Sequence, residues 1–214
     1  MLLDRKKVRF WQKWVFAFMA VLMFVFILGL GGLTSIKGCG GSSSPTSTLD
    51  DEIASLRQQI SASPGDLQTR LDLAETLRRR AGQAVENVQD REDYLRASAD
   101  AYEAYLKRLA RTKGTKAELR EAERLQIAGL EDLVAVYRTL NDFEQVTRVY
   151  GRLTDLRPNN ASYFYDMGRV AITAGDTNTA LLAFARFLEL DPKADEAAQV
   201  KEWMKANASG GTAQ

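Results

Sequence analysis

Histidine is absent from all 214 residues, and cysteine occurs once. Without histidine, Ser-His-Asp triads, imidazole acid–base catalysis and histidine metal sites are excluded. One thiol excludes an internal disulfide framework and a thiolate zinc cage. Neither a GxGxxG turn nor a phosphate-cradling GxxxxGK-Ser/Thr loop is present. Acidic pairs occur at Asp50-Asp51, Glu92-Asp93 and Glu131-Asp132. Neighbouring helical residues point about 100° apart, so these read as solvated helix surface rather than paired catalytic carboxylates. The chain is expected not to be an enzyme and to carry no cofactor and no metal.

Charge is nearly balanced overall, with 29 basic and 28 acidic residues, but it is unevenly placed. Residues 1–37 hold six basic and one acidic residue, and the remainder holds 23 and 27. A mildly acidic body gives no reason to expect nucleic-acid binding. Roughly 160 residues beyond the first fifty suffice for one helical domain with its own core.

The N-terminus contains the one long apolar run. Residues 14–33 are uncharged and rich in Phe, Leu, Val, Met and Ile. As a helix they would span about 30 Å, the hydrocarbon thickness of a bilayer. Arg5, Lys6, Lys7, Arg9 and Lys13 precede the run, and only Lys37 follows it before Arg57. The positive-inside rule predicts residues 1–13 in the cytoplasm, an uncleaved transmembrane signal anchor over 14–33 and the rest of the chain across the membrane. Trp11 and Trp14 stand where an interfacial aromatic belt belongs. The run is longer than the apolar core of a cleaved signal peptide.

Residues 34–50, rich in Gly, Ser and Thr, read as a flexible tether, and 209–214 as a disordered tail. Cys39 follows Ile36-Lys37-Gly38, a partial likeness to a bacterial lipobox in which Lys37 is out of place. Lipidation, an inter-chain disulfide and an inert juxtamembrane thiol all remain open for Cys39.

Further along, the chain repeats itself. Pro158 and Pro192 stand 34 residues apart, with the same spaced pattern ahead of each. In the later copy, 161–194, Phe164, Met167-Gly168 and Ala171 belong to a first helix. Gly175-Asp176 makes the turn, and Ala180, Phe184 and Phe187 line a second helix. The earlier copy, 127–160, presents Leu130, Leu133, Val134, Tyr137, Val146, Tyr150 and Leu153 in that spacing. Small residues such as Gly168 and Ala180 fall where two helices must approach closely, and each proline stops a helix because it has no backbone donor.

This pattern resembles the tetratricopeptide repeat, a 34-residue helix–turn–helix unit that stacks into a superhelix. Val134 and Asn141 depart from the positions where that family usually has glycine. Upstream the resemblance loosens. A unit starting at Leu67, with Leu73-Ala74 and Leu77 in its first helix and 101–106 in its second, should be followed by one starting at 101. The next starts instead at Ile127, leaving 26 additional residues, read as charged extensions of the helices around 81–92 and 108–121. Residues 51–60 read as a leading half-unit and 193–208 as a capping helix. The expected architecture is all-α: an N-terminal transmembrane helix, then a solenoid of antiparallel helix pairs over 51–208.

The resemblance also implies a concave groove lined by the first helix of each unit. Carried onto this sequence, the groove positions are Gln68, Leu71, Glu75, Arg78 and Arg79, then Glu131, Ala135, Arg138 and Thr139. The last unit supplies Ser162, Tyr165, Arg169, Ile172 and Thr173. Arg78, Arg79, Arg138 and Arg169 would form a basic stripe with Tyr165 as an apolar anchor, suited to an acidic segment or a terminal carboxylate. Asp72, Asp132 and Asp166 share one repeat position and would temper that charge or bind a cationic segment. The implied partners are other proteins, besides the lipid bilayer through 14–33. The implied role is a scaffold or chaperone-like adaptor in a bacterial cell envelope. The alternative is a structural accessory subunit of a membrane complex.

Overall fold

The computed structural model describes residues 45–207, and among them every regular element is an α-helix. The eight helices are α1 (Pro45–Ala62), α2 (Leu67–Gln83), α3 (Val88–Leu109), α4 (Lys116–Thr139), α5 (Phe143–Leu156), α6 (Ala161–Thr173), α7 (Thr177–Leu190) and α8 (Ala197–Asn207). The expected anchor at 14–33, the first part of the tether, Cys39 and the tail lie outside the described residues. No helix among the described residues is long and apolar enough to cross a membrane.

Each helix packs on the one before it and the one after it, from α1 to α8. Nearest-neighbour packing of this kind is the organisation of a solenoid. Local sequence chemistry sets the breaks. Asp66, Asn87, Thr115, Asp142, Asn160 and Asp176 cap the N-termini of α2 to α7, each accepting from backbone N–H groups of the first turn. Thr115 and Glu118 form a reciprocal capping box.

The turns of the two C-terminal pairs explain one departure from the expected repeat. Asn141 and Gly175 occupy the same repeat position, and both adopt left-handed backbone, with φ 57° and 79°. Asparagine is the side chain that best tolerates this region after glycine, so Asn141 performs the same turn. Replacing Asn141 with valine should cost about 1–2 kcal/mol, whereas glycine should be neutral or mildly stabilising. Urea unfolding of the two variants checks this.

Two boundaries differ from the sequence expectation. The tether does not reach residue 50, because α1 begins at Pro45. Leu49 is buried, and the Asp50 carboxylate accepts from Arg80 Nε at 2.9 Å and from the Tyr94 hydroxyl at 3.1 Å. Ser/Thr/Pro composition suggested a loop there, and these long-range contacts override it. The capping helix is also shorter than 193–208, spanning Ala197–Asn207.

The additional residues upstream are absorbed mainly as helix. α2, α3 and α4 have 17, 22 and 24 residues, against 14, 13 and 14 in α5, α6 and α7. The two charged stretches are nevertheless interrupted, at 84–87 and 110–115.

The core forms two clusters. The larger runs through α2 to α6 and includes Ala74, Tyr102, Leu130, Leu133, Val146 and Leu153. The smaller joins α6, α7 and α8 through Ala171, Ala180, Phe184, Phe187 and Val200. Gly168 makes the second cluster possible. A Cβ there would stand 2.5 Å from Phe184 Cε1, so α6 and α7 approach too closely for any side chain.

Surface carboxylates are expected to make the domain acid-labile. The Arg80 hydrogen bond holds Asp50 below its ordinary value of 3.8, and hydrogen bonds from Thr69 and Thr179 do the same for Asp66 and Asp176. A depressed folded-state pKa contributes stability that is present above the unfolded value and lost as pH falls through the folded one. The melting temperature should therefore hold steady from about pH 7 to 5 and fall below about pH 4. A flat profile down to about pH 2 would contradict this.

Candidate functional site

The first helices of the C-terminal units, α4 and α6, together with α8, enclose a groove of about 450 Å³. Its lining includes Arg138 from α4, Tyr165, Arg169 and Ile172 from α6, Phe184 from α7 and Trp203 from α8. This size falls in the usual range for small-ligand and side-chain pockets, about 300–1,000 Å³. Three of the five predicted site residues, Arg138, Tyr165 and Arg169, thus meet in one place.

An aromatic cluster fixes the floor. The Tyr165 ring lies 5.2 Å from Phe187 and 6.2 Å from Phe184, and Trp203 meets Phe184 nearly edge-on at 5.3 Å and 75°. The Tyr165 pairs are tilted, and the edge-on Phe184–Trp203 pair has a favoured aromatic geometry. The Arg169 guanidinium stacks over Tyr165 at 5.6 Å, so its charge is held at the groove rather than free to wander. Ile172 is 40% exposed, an apolar side chain left at the opening.

Arg138 is oriented from behind. Its Nη2 donates to the Tyr150 hydroxyl at 3.1 Å, and its guanidinium lies 5.8 Å from that ring. Burial pushes the Tyr150 phenol up, reinforced by the Asp166 carboxylate and opposed by Arg138. Beside it, the Tyr163 hydroxyl donates to Glu131 at 2.7 Å, and burial together with that carboxylate pushes Tyr163 up to about 12. These tyrosines stay protonated and act as donors at any physiological pH. Arg138 and Arg169 form no ion pair with a carboxylate of the described residues.

The remaining two predicted residues lie elsewhere. Arg79 reaches back to α1, where its Nη2 is 2.9 Å from Glu52 and 2.8 Å from Thr76 Oγ1. Arg78 is exposed on α2 and interacts with Tyr102 and Asp132, two helices away from the groove. Burial raises Asp132, with Arg78 opposing the rise. The basic stripe is therefore split into an N-terminal and a C-terminal part. No group of three acidic or sulfur side chains among the described residues is placed to hold a metal ion.

Sequence reasoning read Phe184 as lining a helix and residues 193–208 as a cap, and missed that Phe184, Val200 and Trp203 line the groove. The signal that would have found them is the repeat register itself. Arg138, Tyr150 and Asp166 are followed 34 residues later by Ile172, Phe184 and Val200. A polar set is replaced by an apolar one.

Residues 133–205 match the tetratricopeptide repeat family, which bears out the resemblance over that stretch. No curated protein matches the chain. Among solved structures, the C-terminal TPR-containing domain of a Plasmodium falciparum protein described as FK506-binding is 12% identical. That match covers 68% of this chain and 94% of that one, with a TM-score of 0.45. Crystal structures of MamA are also similar, at 15% identity. One match covers 72% of this chain and 98% of that one with a TM-score of 0.30, and a second covers 78% and 88% with 0.27.

Proposed function

We propose that this chain, whose residues 133–205 match the tetratricopeptide repeat, is a membrane-anchored scaffold or chaperone-like adaptor that binds another protein in the groove between α4, α6 and α8. The groove itself carries the reading: an aromatic floor, two arginines without carboxylate partners among the described residues and an exposed Ile172 make a surface built for contact. Exposed apolar positions gathered in a cleft with charged groups around them are characteristic of protein recognition sites. Work is done by binding rather than catalysis, in keeping with the general character of the repeat.

In this proposal residues 14–33 anchor the chain in a bacterial cytoplasmic membrane and place the helical domain in the cell envelope outside it. The supporting observation is the five basic residues before the apolar run against one after it. A cysteine introduced in the tail should be labelled by a membrane-impermeant thiol reagent from outside, in a Cys39→Ser background. Labelling only after lysis would place the domain in the cytoplasm.

Purification of the intact protein from its native membranes in mild detergent tests the binding role. Co-eluting proteins should be lost from the Ile172→Asp variant while the thermal melt is preserved. Equal recovery with both would place binding outside the groove. Companions that persist in high salt would favour an accessory subunit of a stable complex.

A further inference from the structure

The repeat register shows why the groove opens where it does. At the first junction between units, Arg78 of α2, Tyr102 of α3 and Asp132 of α4 interact electrostatically. At the second junction the same three roles fall to Arg138 of α4, Tyr150 of α5 and Asp166 of α6. The second set is joined by the Arg138–Tyr150 hydrogen bond, whereas in the first the buried Tyr102 hydroxyl has no hydrogen-bond partner among the described residues. Both nevertheless fill their junctions with polar groups. At the third junction the equivalent residues are Ile172, Phe184 and Val200, 34 positions beyond Arg138, Tyr150 and Asp166. None of these can form such a set: Phe184 and Val200 are buried in the apolar floor, and Ile172 is left 40% exposed above them.

Arg138 and Arg169 line the same groove, and among the described residues no aspartate or glutamate lines it, Asp166 being engaged with Tyr150 at the second junction. Both arginines are exposed, so they retain donors for a ligand, with Arg138 committing Nη2 to Tyr150 and Arg169 resting on the Tyr165 face. The cations come from α4 and α6 and the apolar lining from α5, α6, α7 and α8, so basic and apolar groups share one groove.

Resting on the scaffold reading above, we propose that this groove docks an extended protein segment with one large apolar side chain and acidic side chains next to it. The apolar side chain fills the space over Ile172, Phe184, Val200 and Trp203. The neighbouring carboxylates pair with Arg138 and Arg169 through charge-assisted hydrogen bonds. Burial of the side chain supplies most of the affinity, and the arginines set direction and reject basic segments.

Fluorescence anisotropy with four labelled, end-capped peptides tests this on the intact protein in detergent. The first has one tryptophan followed by three aspartates. The others replace the tryptophan by alanine, the aspartates by asparagine, or the aspartates by lysine. The first peptide should bind about tenfold or more tighter than each of the others, the scale of one charge-assisted contact or one buried side chain. R169Q and R138Q should each weaken the first peptide by about tenfold and leave the asparagine peptide unchanged. R78Q, outside the groove, should have no effect, and unchanged melts establish that the variants fold.

Equal affinity for the aspartate and lysine peptides overturns the inference, as does a loss with R78Q equal to that with R169Q. Failure of all four peptides to bind also overturns it, while the scaffold reading stands if companion proteins still depend on Ile172. Selective peptide binding without any companion protein would instead support the site chemistry and count against the cellular role.

Discussion

Gly168→Ala is expected to destabilise the domain by about 1–3 kcal/mol, the cost of overpacking a filled interior. The added methyl would meet Phe184 at 2.5, 2.6 and 2.9 Å from three ring carbons. The ring has nowhere to retreat, being packed on Trp203 at 5.3 Å and Tyr165 at 6.2 Å. Alanine in place of a helical glycine ordinarily gains about 0.5–1 kcal/mol, which offsets only part of the strain. Gly151→Ala supplies the contrast, since nothing lies within 4 Å of a Cβ there. It should stabilise by about 0.5–1 kcal/mol. Because Phe184 forms the groove floor, Gly168→Ala should also weaken ligand binding, while Gly151→Ala should leave it intact. Paired urea titrations and binding assays read both effects.

Leu153→Ala should cost more, about 2–5 kcal/mol. The side chain is fully buried on α5 in the larger core cluster, so truncation leaves a cavity as well as lost apolar contact. In a nearest-neighbour stack the damage falls first on α5 and the helices on either side of it. Hydrogen exchange should accelerate in α4 to α6 before it does in α1 and α2. Leu182, 75% exposed on α7, provides the opposite case, and its replacement by alanine should change stability by no more than about 0.5 kcal/mol. Similar losses for Leu153→Ala and Leu182→Ala would show that the core has been misassigned.

Much of this was legible in the residues. The 34-residue spacing of Pro158 and Pro192 located the end of α4 and the boundaries of α5 to α7, because those prolines and the capping Asp142, Asn160 and Asp176 act locally. The start of α4 at Lys116 lies upstream of the expected unit start at Ile127. Gly168 was readable as a close approach for the same reason. Gly129 was not. A Cβ there would lie 3.1 Å from Leu106 and Tyr105, a contact with α3 that the repeat pattern does not specify. The start of α1 was obscured by Ser and Thr composition, since what holds it is Leu49 burial and the pairing of Asp50 with Arg80 across 30 positions.

The groove was half legible. Repeat register placed Arg138, Tyr165 and Arg169 on the inner helices, and the structure brings them together. Register could not reveal that Arg79 has a carboxylate from α1 to satisfy it, because that depends on how the first helix packs. It also hid the apolar wall, since Phe184 and Trp203 look like ordinary core residues along their own helices. Only the comparison of one junction with the next exposes the exchange of a polar set for an apolar one.

A photoreactive amino acid placed at Ile172 in the intact, membrane-bound protein tests most directly whether this groove holds a protein partner. A discrete cross-linked adduct is expected from residue 172, reduced when Arg138 and Arg169 are both changed to glutamine. The same group at Leu182, exposed on α7 and not among the groove-lining residues, should give none. Equal cross-linking at the two positions, or none at 172, would contradict partner binding in the groove.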